Sequence, residues 1–150
     1  MQYRFGHTNI IARDWRKLAR FYTDVFGCVP VGPERDLAGD WVDELTGIHN
    51  VRIRGTHLAL PGCEDGPTLE IFSYEPVAPE EAPGAVNRFG FGHIAFQVDD
   101  VEGALAALLS AGGSKLGGLI RKDYPELGLL TAIYVRDPEG NVIELQNWKR

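Results

Sequence analysis

Phe5-Gly6-His7-Thr8-Asn9-Ile10-Ile11-Ala12-Arg13-Asp14 and Phe91-Gly92-His93-Ile94-Ala95-Phe96-Gln97-Val98-Asp99-Asp100 are two versions of one opening. The Phe-Gly-His triplet recurs, and the alignment runs without a gap through Asp14 and Asp100 to Gly27 and Gly113. Residues 5–12 and 89–98 are apolar and rich in β-formers, which predicts strands. Asp14 and Asp100 then offer helix N-caps. Trp15, Leu18, Phe21, Tyr22, Val25 and Phe26 follow at helical spacing, as do Val101, Ala104, Leu105 and Leu108. Gly27 and Gly112 are the stop signals.

The repeats also end alike. Thr68-Leu69-Glu70-Ile71-Phe72-Ser73-Tyr74 matches Val142-Ile143-Glu144-Leu145-Gln146-Asn147-Trp148, each a short apolar strand with glutamate third. Turn chemistry precedes both: Pro61-Gly62 through Gly66-Pro67, and Asp137-Pro138-Glu139-Gly140. Two more strands fit into each repeat, near 28–34 and 51–60, and near 114–122 and 129–136. An insertion at 36–50 carries a short helix around Asp40–Leu45. The expected class is α+β, with two βαβββ modules at 1–74 and 89–150 joined by a Pro-, Glu- and Ala-rich linker at 75–88. One such module buries little alone, so two are expected to share a core and form a curved mixed sheet around a cavity.

The totals suit this picture. A chain of 150 residues, 44 % hydrophobic and 24 % charged, is an ordinary globular domain that folds without a structural metal or disulfide. Any metal is therefore expected to serve chemistry. A net charge of −6 with no basic run argues against nucleic acid and anionic membranes as partners. Cys28 and Cys63 have no metal-site spacing and read as reduced thiols. No stretch resembles a signal peptide or a membrane span, so the expected location is the cytoplasm.

Side chains alternate across a strand. His93 therefore shares a face with Phe91, Ala95 and Gln97, opposite Ile94, Phe96 and Val98. Glu144 sits with Gln146 and Trp148, Glu70 with Thr68, Phe72 and Tyr74, and His7 with Asn9 and Ile11. Each module thus places one His and one Glu on the face away from its helix. A carboxylate among apolar neighbours needs a partner, and imidazoles at equivalent repeat positions supply one through a metal. Any one of the four, alone, reads as an ordinary core or solvated side chain; the pairwise repetition carries the metal reading. Two imidazoles and two carboxylates suit Ni, Co, Zn, Mn or Fe. An octahedral ion would keep two adjacent positions for two neighbouring oxygens of a substrate. Asn9, Phe72, Phe91, Gln97, Gln146 and Trp148 are the expected cavity neighbours.

Phe5-Gly6-His7, Leu69-Glu70-Ile71, Gly92-His93-Ile94-Ala95-Phe96 and Asp137-Pro138-Glu139-Gly140-Asn141-Val142-Ile143-Glu144 together resemble the glyoxalase, or vicinal-oxygen-chelate, superfamily. The resemblance runs from Phe5 to Trp148. It implies one divalent ion on His7, Glu70, His93 and Glu144, a small-molecule substrate such as a thiol adduct or thioester, and a homodimer. It further implies a metal-dependent lyase or isomerase of the glyoxalase I or methylmalonyl-CoA epimerase type. Such enzymes move a proton next to a carbonyl while an enediolate or enolate is stabilised on the metal, with Glu144 or Glu70 as the base. Glu70 matches bacterial glyoxalase I; the epimerase usually has Gln there. The epimerase also has a third-strand glutamate, where this chain reads Gly55-Thr56-His57-Leu58; His57 is available as a substitute base, but its default reading is a solvated or core histidine. Arg52, Arg54, Arg88, Arg121 and Lys122 are available for an anionic cofactor such as glutathione. Two other branches give rival readings: an iron extradiol dioxygenase using His7, His93 and Glu144 with Tyr134 nearby, and a metal-free binding protein like the bleomycin-resistance branch. The linker allows a site built within one chain or across a dimer.

Overall fold

A computed structural model describes residues 6–46, 48–63, 65–79, 93–125 and 127–150. Phe5, Arg88, Phe91, Gly92 and the linker from residue 80 onward lie outside the described residues. The chain divides into two units, Met1–Glu80 and Glu81–Arg150. Among the described residues there are nine strands and three helices, with one mixed sheet in each unit.

The first unit runs β1 (His7–Ile11), α1 (Trp15–Phe26), β2 (Val29–Ala38), α2 (Asp40–Thr46), β3 (Arg52–Ala59) and β4 (Thr68–Glu75). Its sheet order is β1-β4-β3-β2, with β1 and β4 parallel and the other pairs antiparallel. The second runs β5 (Ile94–Gln97), α3 (Val101–Ser110), β6 (Ser114–Lys115), β7 (Ile120–Tyr124), β8 (Gly128–Arg136) and β9 (Val142–Lys149). Its order is β5-β9-β8-β6, and β7 also pairs with β8. The α+β expectation of repeated modules is met, and the inserted helix falls at Asp40–Thr46 as α2.

The helices start where the caps predict. The Asp14 carboxylate accepts from the Lys17 N–H at 3.0 Å, and Asp100 accepts from Gly103 N–H at 3.0 Å. Gly27 ends α1 in the left-handed region, at φ 68°, where a side chain would be strained. The cap of α3 is Ala111, with Gly112 following at φ 92°. Trp15, Leu18, Phe21 and Tyr22 form the buried stripe of α1, which packs over β3 and β4. The strands answer with fully buried Leu58, Leu69 and Ile71. In the second unit Val101, Leu105 and Leu108 of α3 face a sheet whose Val135, Ile143 and Leu145 are fully buried. Cys28, behind α1, is buried, and that burial pushes its thiol up to about 11.

One expectation is corrected. The strand placed at 114–122 is two strands, β6 and β7. Leu116 and Gly117 both donate backbone N–H groups to the Tyr134 carbonyl, each at 3.1 Å, so the ladder bulges and breaks at the Gly117-Gly118 pair. The first unit has a related interruption. Pairing of β2 with β3 shifts between Val31 and Arg35, across Gly32-Pro33, where proline has no N–H to give.

The parallel pairs that carry the repeat are fastened in the same way. Ala12 N–H donates to Phe72 O at 2.8 Å, and Val98 N–H to Gln146 O at 2.9 Å. Ser73 Oγ donates to Ala12 O at 2.7 Å, and Asn147 Nδ2 to Val98 O at 2.7 Å. Ser73 and Asn147 each stand three residues beyond the glutamate of their strand.

The turn from β8 into β9 is built on one carboxylate. Asp137 is buried, and its Oδ1 accepts from Glu139 N–H at 2.9 Å and Asn141 N–H at 3.0 Å. Its Oδ2 accepts from Asn141 Nδ2 at 2.8 Å. This explains why the Asp-Pro-Glu-Gly-Asn run precedes Glu144: the turn sets where β9 begins. Replacing Asp137 with Ala strands these donors, and should cost about 2–3 kcal/mol in chemical denaturation. An unchanged denaturation midpoint would show that the turn holds itself.

Candidate metal centre

Strand register assembles the first candidate group. β1 sets Asn9 opposite Glu70 in parallel pairing, and β3 sets His57 opposite Glu70 in antiparallel pairing. His7 is two residues before Asn9, so it shares that face. Glu70 is buried and surrounded accordingly. Its Oε2 lies 3.3 Å from His7 Nε2 and accepts from Asn9 Nδ2 at 3.2 Å. Its Oε1 lies 3.2 Å from His57 Nε2. Both oxygens of a carboxylate that would be costly to bury alone are thus matched.

His57 is the residue that sequence reading undervalued. Its side chain is about four-fifths covered, its ring stands edge-on to Phe72 at 5.6 Å and its Nε2 faces Glu70. Burial holds its pKa below the usual histidine value; the Glu70 charge pulls the other way, while Arg35 and His7 add to the lowering. The available signal was the pairing of 51–60 with 68–74, because the residue across from a buried Glu is its first partner.

The second unit repeats the register with different neighbours. His93 precedes β5, Ala95 pairs with Glu144 in parallel, and Tyr134 of β8 pairs with Glu144 from the other side. His93 Nε2 lies 3.1 Å from Glu144 Oε2, and the His93 and Tyr134 rings are 5.1 Å apart. So His7 corresponds to His93, Glu70 to Glu144, Asn9 to Ala95 and His57 to Tyr134. The histidine and glutamate are kept; the two supporting partners are not. Among the described residues, the only ion-pair or hydrogen-bond contact of the Glu144 carboxylate is with His93.

The remaining expected neighbours follow the same parity. Phe72 lies on the Glu70 face, and Gln146, Trp148 and Gln97 on the Glu144 face. Trp148 Nε1 donates to Gln146 Oε1 at 2.9 Å, and its ring meets Tyr124 at 5.5 Å. Val42 of α2 packs with Val51, Ile53 and Phe72, so the inserted helix covers the far end of the Glu70 face. The basic residues divide by face. Arg52 and Arg54 are on the side opposite Glu70, paired with Asp36 at 2.7 Å and Glu75 at 2.8 Å, and Arg121 is paired with Glu102. Lys122 is on the Glu144 side, and Arg35, opposite Gly55, is on the Glu70 side.

These groups fit a divalent ion. Donors held at ~2.1 Å from one ion are ~3.0 Å apart at a right angle and ~3.4 Å at the tetrahedral angle. The His7–Glu70 and His93–Glu144 separations, 3.3 and 3.1 Å, fall in that interval. The structure brings together His7 with Glu70 and His93 with Glu144, one pair in each unit. Among the described residues, no group of three or more His, Cys, Asp or Glu side chains is gathered as a metal site. His57 Nε2 addresses the other oxygen of Glu70, at 3.2 Å, and so is a direct partner of that carboxylate. If this electrostatic picture holds, NMR titration will find the His57 midpoint below 6.5, and Glu70→Gln will push it lower still. A rise in Glu70→Gln would contradict it.

Comparison with known proteins agrees with the family resemblance. A family model described as glyoxalase/bleomycin resistance protein/dioxygenase superfamily matches residues 4–145. The chain is 29 % identical to the lactoylglutathione lyase of Schizosaccharomyces pombe over 153 aligned positions. That alignment covers 95 % of this chain and 47 % of the yeast protein, so the chain spans about half the length of that relative. A glyoxalase family protein from Bacillus cereus has a similar fold, with a TM-score of 0.85 at 19 % identity, covering 100 % of this chain and 97 % of that one. A genomically encoded fosfomycin resistance protein from Listeria monocytogenes gives 0.58 at 16 %, covering 99 % and 96 %. One fold therefore serves different functions, and the site must decide among them.

Proposed function

The chain belongs to the glyoxalase/bleomycin resistance protein/dioxygenase superfamily, and from that premise we propose that it is a metal-dependent lyase or isomerase moving a proton next to a carbonyl. The observation that carries this is the same His-to-Glu register built twice, His7 with Glu70 and His93 with Glu144. Each pair is half of a ligand set for one divalent ion of the Ni, Co, Zn, Mn or Fe group. One such ion would take a first-unit pair and a second-unit pair, from one chain or from two copies in a homodimer. When bound, the ion lowers the cost of negative charge developing on a substrate oxygen.

The two glutamates have different work. Glu70 is held on both oxygens, by His7 and Asn9 on one and His57 on the other. A carboxylate so fixed is suited to a constant place in the site. Glu144 is held by His93 alone among the described residues, and its Oε1 is free to meet a substrate proton. Glu144 therefore takes the proton from the carbon beside the carbonyl and returns it to the neighbouring position. Gln146 and Trp148, on the same strand face, line the path along which the rest of the substrate lies. Lys122, on the Glu144 side of its sheet, and Arg35, on the Glu70 side of its sheet, would meet an anionic end such as that of a thiol adduct. The reading is supported by the relative from Schizosaccharomyces pombe, which is named a lactoylglutathione lyase.

Tyr134, beside His93 and across from Glu144, favours a second reading. In it His7, His93 and Glu144 hold iron for an oxygenase, and Glu70 has no ligand role. Turnover separates the two. With the hemithioacetal of a 2-oxoaldehyde and glutathione, the metal-loaded protein should give product without consuming oxygen. Glu144→Gln should lower kcat by roughly 10²–10⁴-fold. A fully active Glu144→Gln protein would remove Glu144 as the base, and oxygen uptake with a catechol would favour the oxygenase.

A further inference from the structure

The two glutamates stand at equivalent positions, yet only the first has an imidazole behind it. His57 occupies the place that Tyr134 occupies in the second unit. Its Nε2 is 3.2 Å from Glu70 Oε1, while His7 and Asn9 take Oε2 at 3.3 and 3.2 Å. At that distance an Nε2–H of His57 donates to the Oε1 of an ionised Glu70, which has no proton of its own to give. The side chain is about four-fifths covered, edge-on to Phe72 and fixed on a central strand, β3. It has little freedom to leave. His57 and His7 are oriented nearly perpendicular, with ring centroids 6.4 Å apart, and they address different oxygens.

We propose that His57 is a positioning residue for Glu70. It clamps Oε1 so that Oε2 is presented at the His7 side, where the ion is to be held. The proposal rests on the metal centre proposed above, and it explains an asymmetry that the repeat leaves unexplained. Ligands to metals are oriented by the groups behind them, and loss of such a group typically weakens binding by 10–100-fold. The first unit would then supply the rigid half of the ligand set, and the second unit, with Tyr134 and Ala95 in place of His57 and Asn9, the looser half. Position 57 would thereby set how tightly the ion is kept, without touching it.

The test is titration of the metal-free protein with Co²⁺, followed by visible absorption, for wild type, His57→Thr and His57→Gln. Threonine is a strand former of modest size, so the sheet should tolerate it, but it is too short to reach Oε1. Glutamine keeps a donor that reaches. The Thr variant should bind Co²⁺ about 10–100-fold more weakly, and the Gln variant within about threefold of wild type. Circular dichroism and the unfolding midpoint report folding separately. Wild-type binding with an unchanged Thr variant would overturn the role of His57 alone. Equal losses in folded Thr and Gln variants would overturn it too, since a donor would not matter. Should the Thr variant fail to fold, the Gln variant decides: near-wild-type affinity upholds the clamp and a tenfold or greater loss overturns it. Wild type that binds no Co²⁺ would instead overturn the metal centre, and the clamp with it.

Discussion

A carboxylate standing on an apolar strand has to be matched across the ladder, or it costs several kcal/mol to keep there. Glu70 and Glu144 are both in that position, and much of the architecture around them meets this requirement. In each unit the glutamate strand lies between a parallel strand with a histidine on it or just before it and an antiparallel strand bearing a second polar group. The match is a matter of register. A slip of one residue would turn the glutamate toward the helix and the core residues outward.

Several local devices hold that register. The Ser73 and Asn147 side chains tie β4 and β9 to the ends of their parallel partners. Asp137 fixes the turn that launches β9. Asp14 and Asp100 start the helices that seal the opposite faces, so apolar burial on one side supports polar order on the other. None of these groups needs to touch a substrate. Their effect is to deliver an imidazole and a carboxylate to within about 3 Å of each other, twice.

The repeat was the legible part of the sequence. Phe-Gly-His at both openings, the Asp caps and the Leu-Glu-Ile and Ile-Glu-Leu strands placed the helices, the paired sheets and the His–Glu faces, because each depends on short-range chemistry. Strand parity also put Asn9 with His7, Phe72 with Glu70, and Gln146 with Trp148. What sequence reading missed depends on pairing between distant strands. His57 reads as an ordinary histidine until β3 is set against β4, and only then does it lie opposite Glu70. Arg35 likewise takes its side only after the shift at Gly32-Pro33. The split of 114–122 into two strands was signalled by Gly117-Gly118, but the cause is a shared carbonyl on Tyr134 that sequence alone does not display. No helix among the described residues is long and apolar enough to cross a membrane.

The central claim is that the two His–Glu pairs serve one metal ion. Metal analysis of the protein after reconstitution and removal of loose ions, beside a His93→Ala, Glu144→Ala variant of verified fold, tests it most directly. The account predicts about one first-row divalent ion per chain, lost in the variant. No retained ion in the wild type, or the same ion content in both proteins, would contradict it.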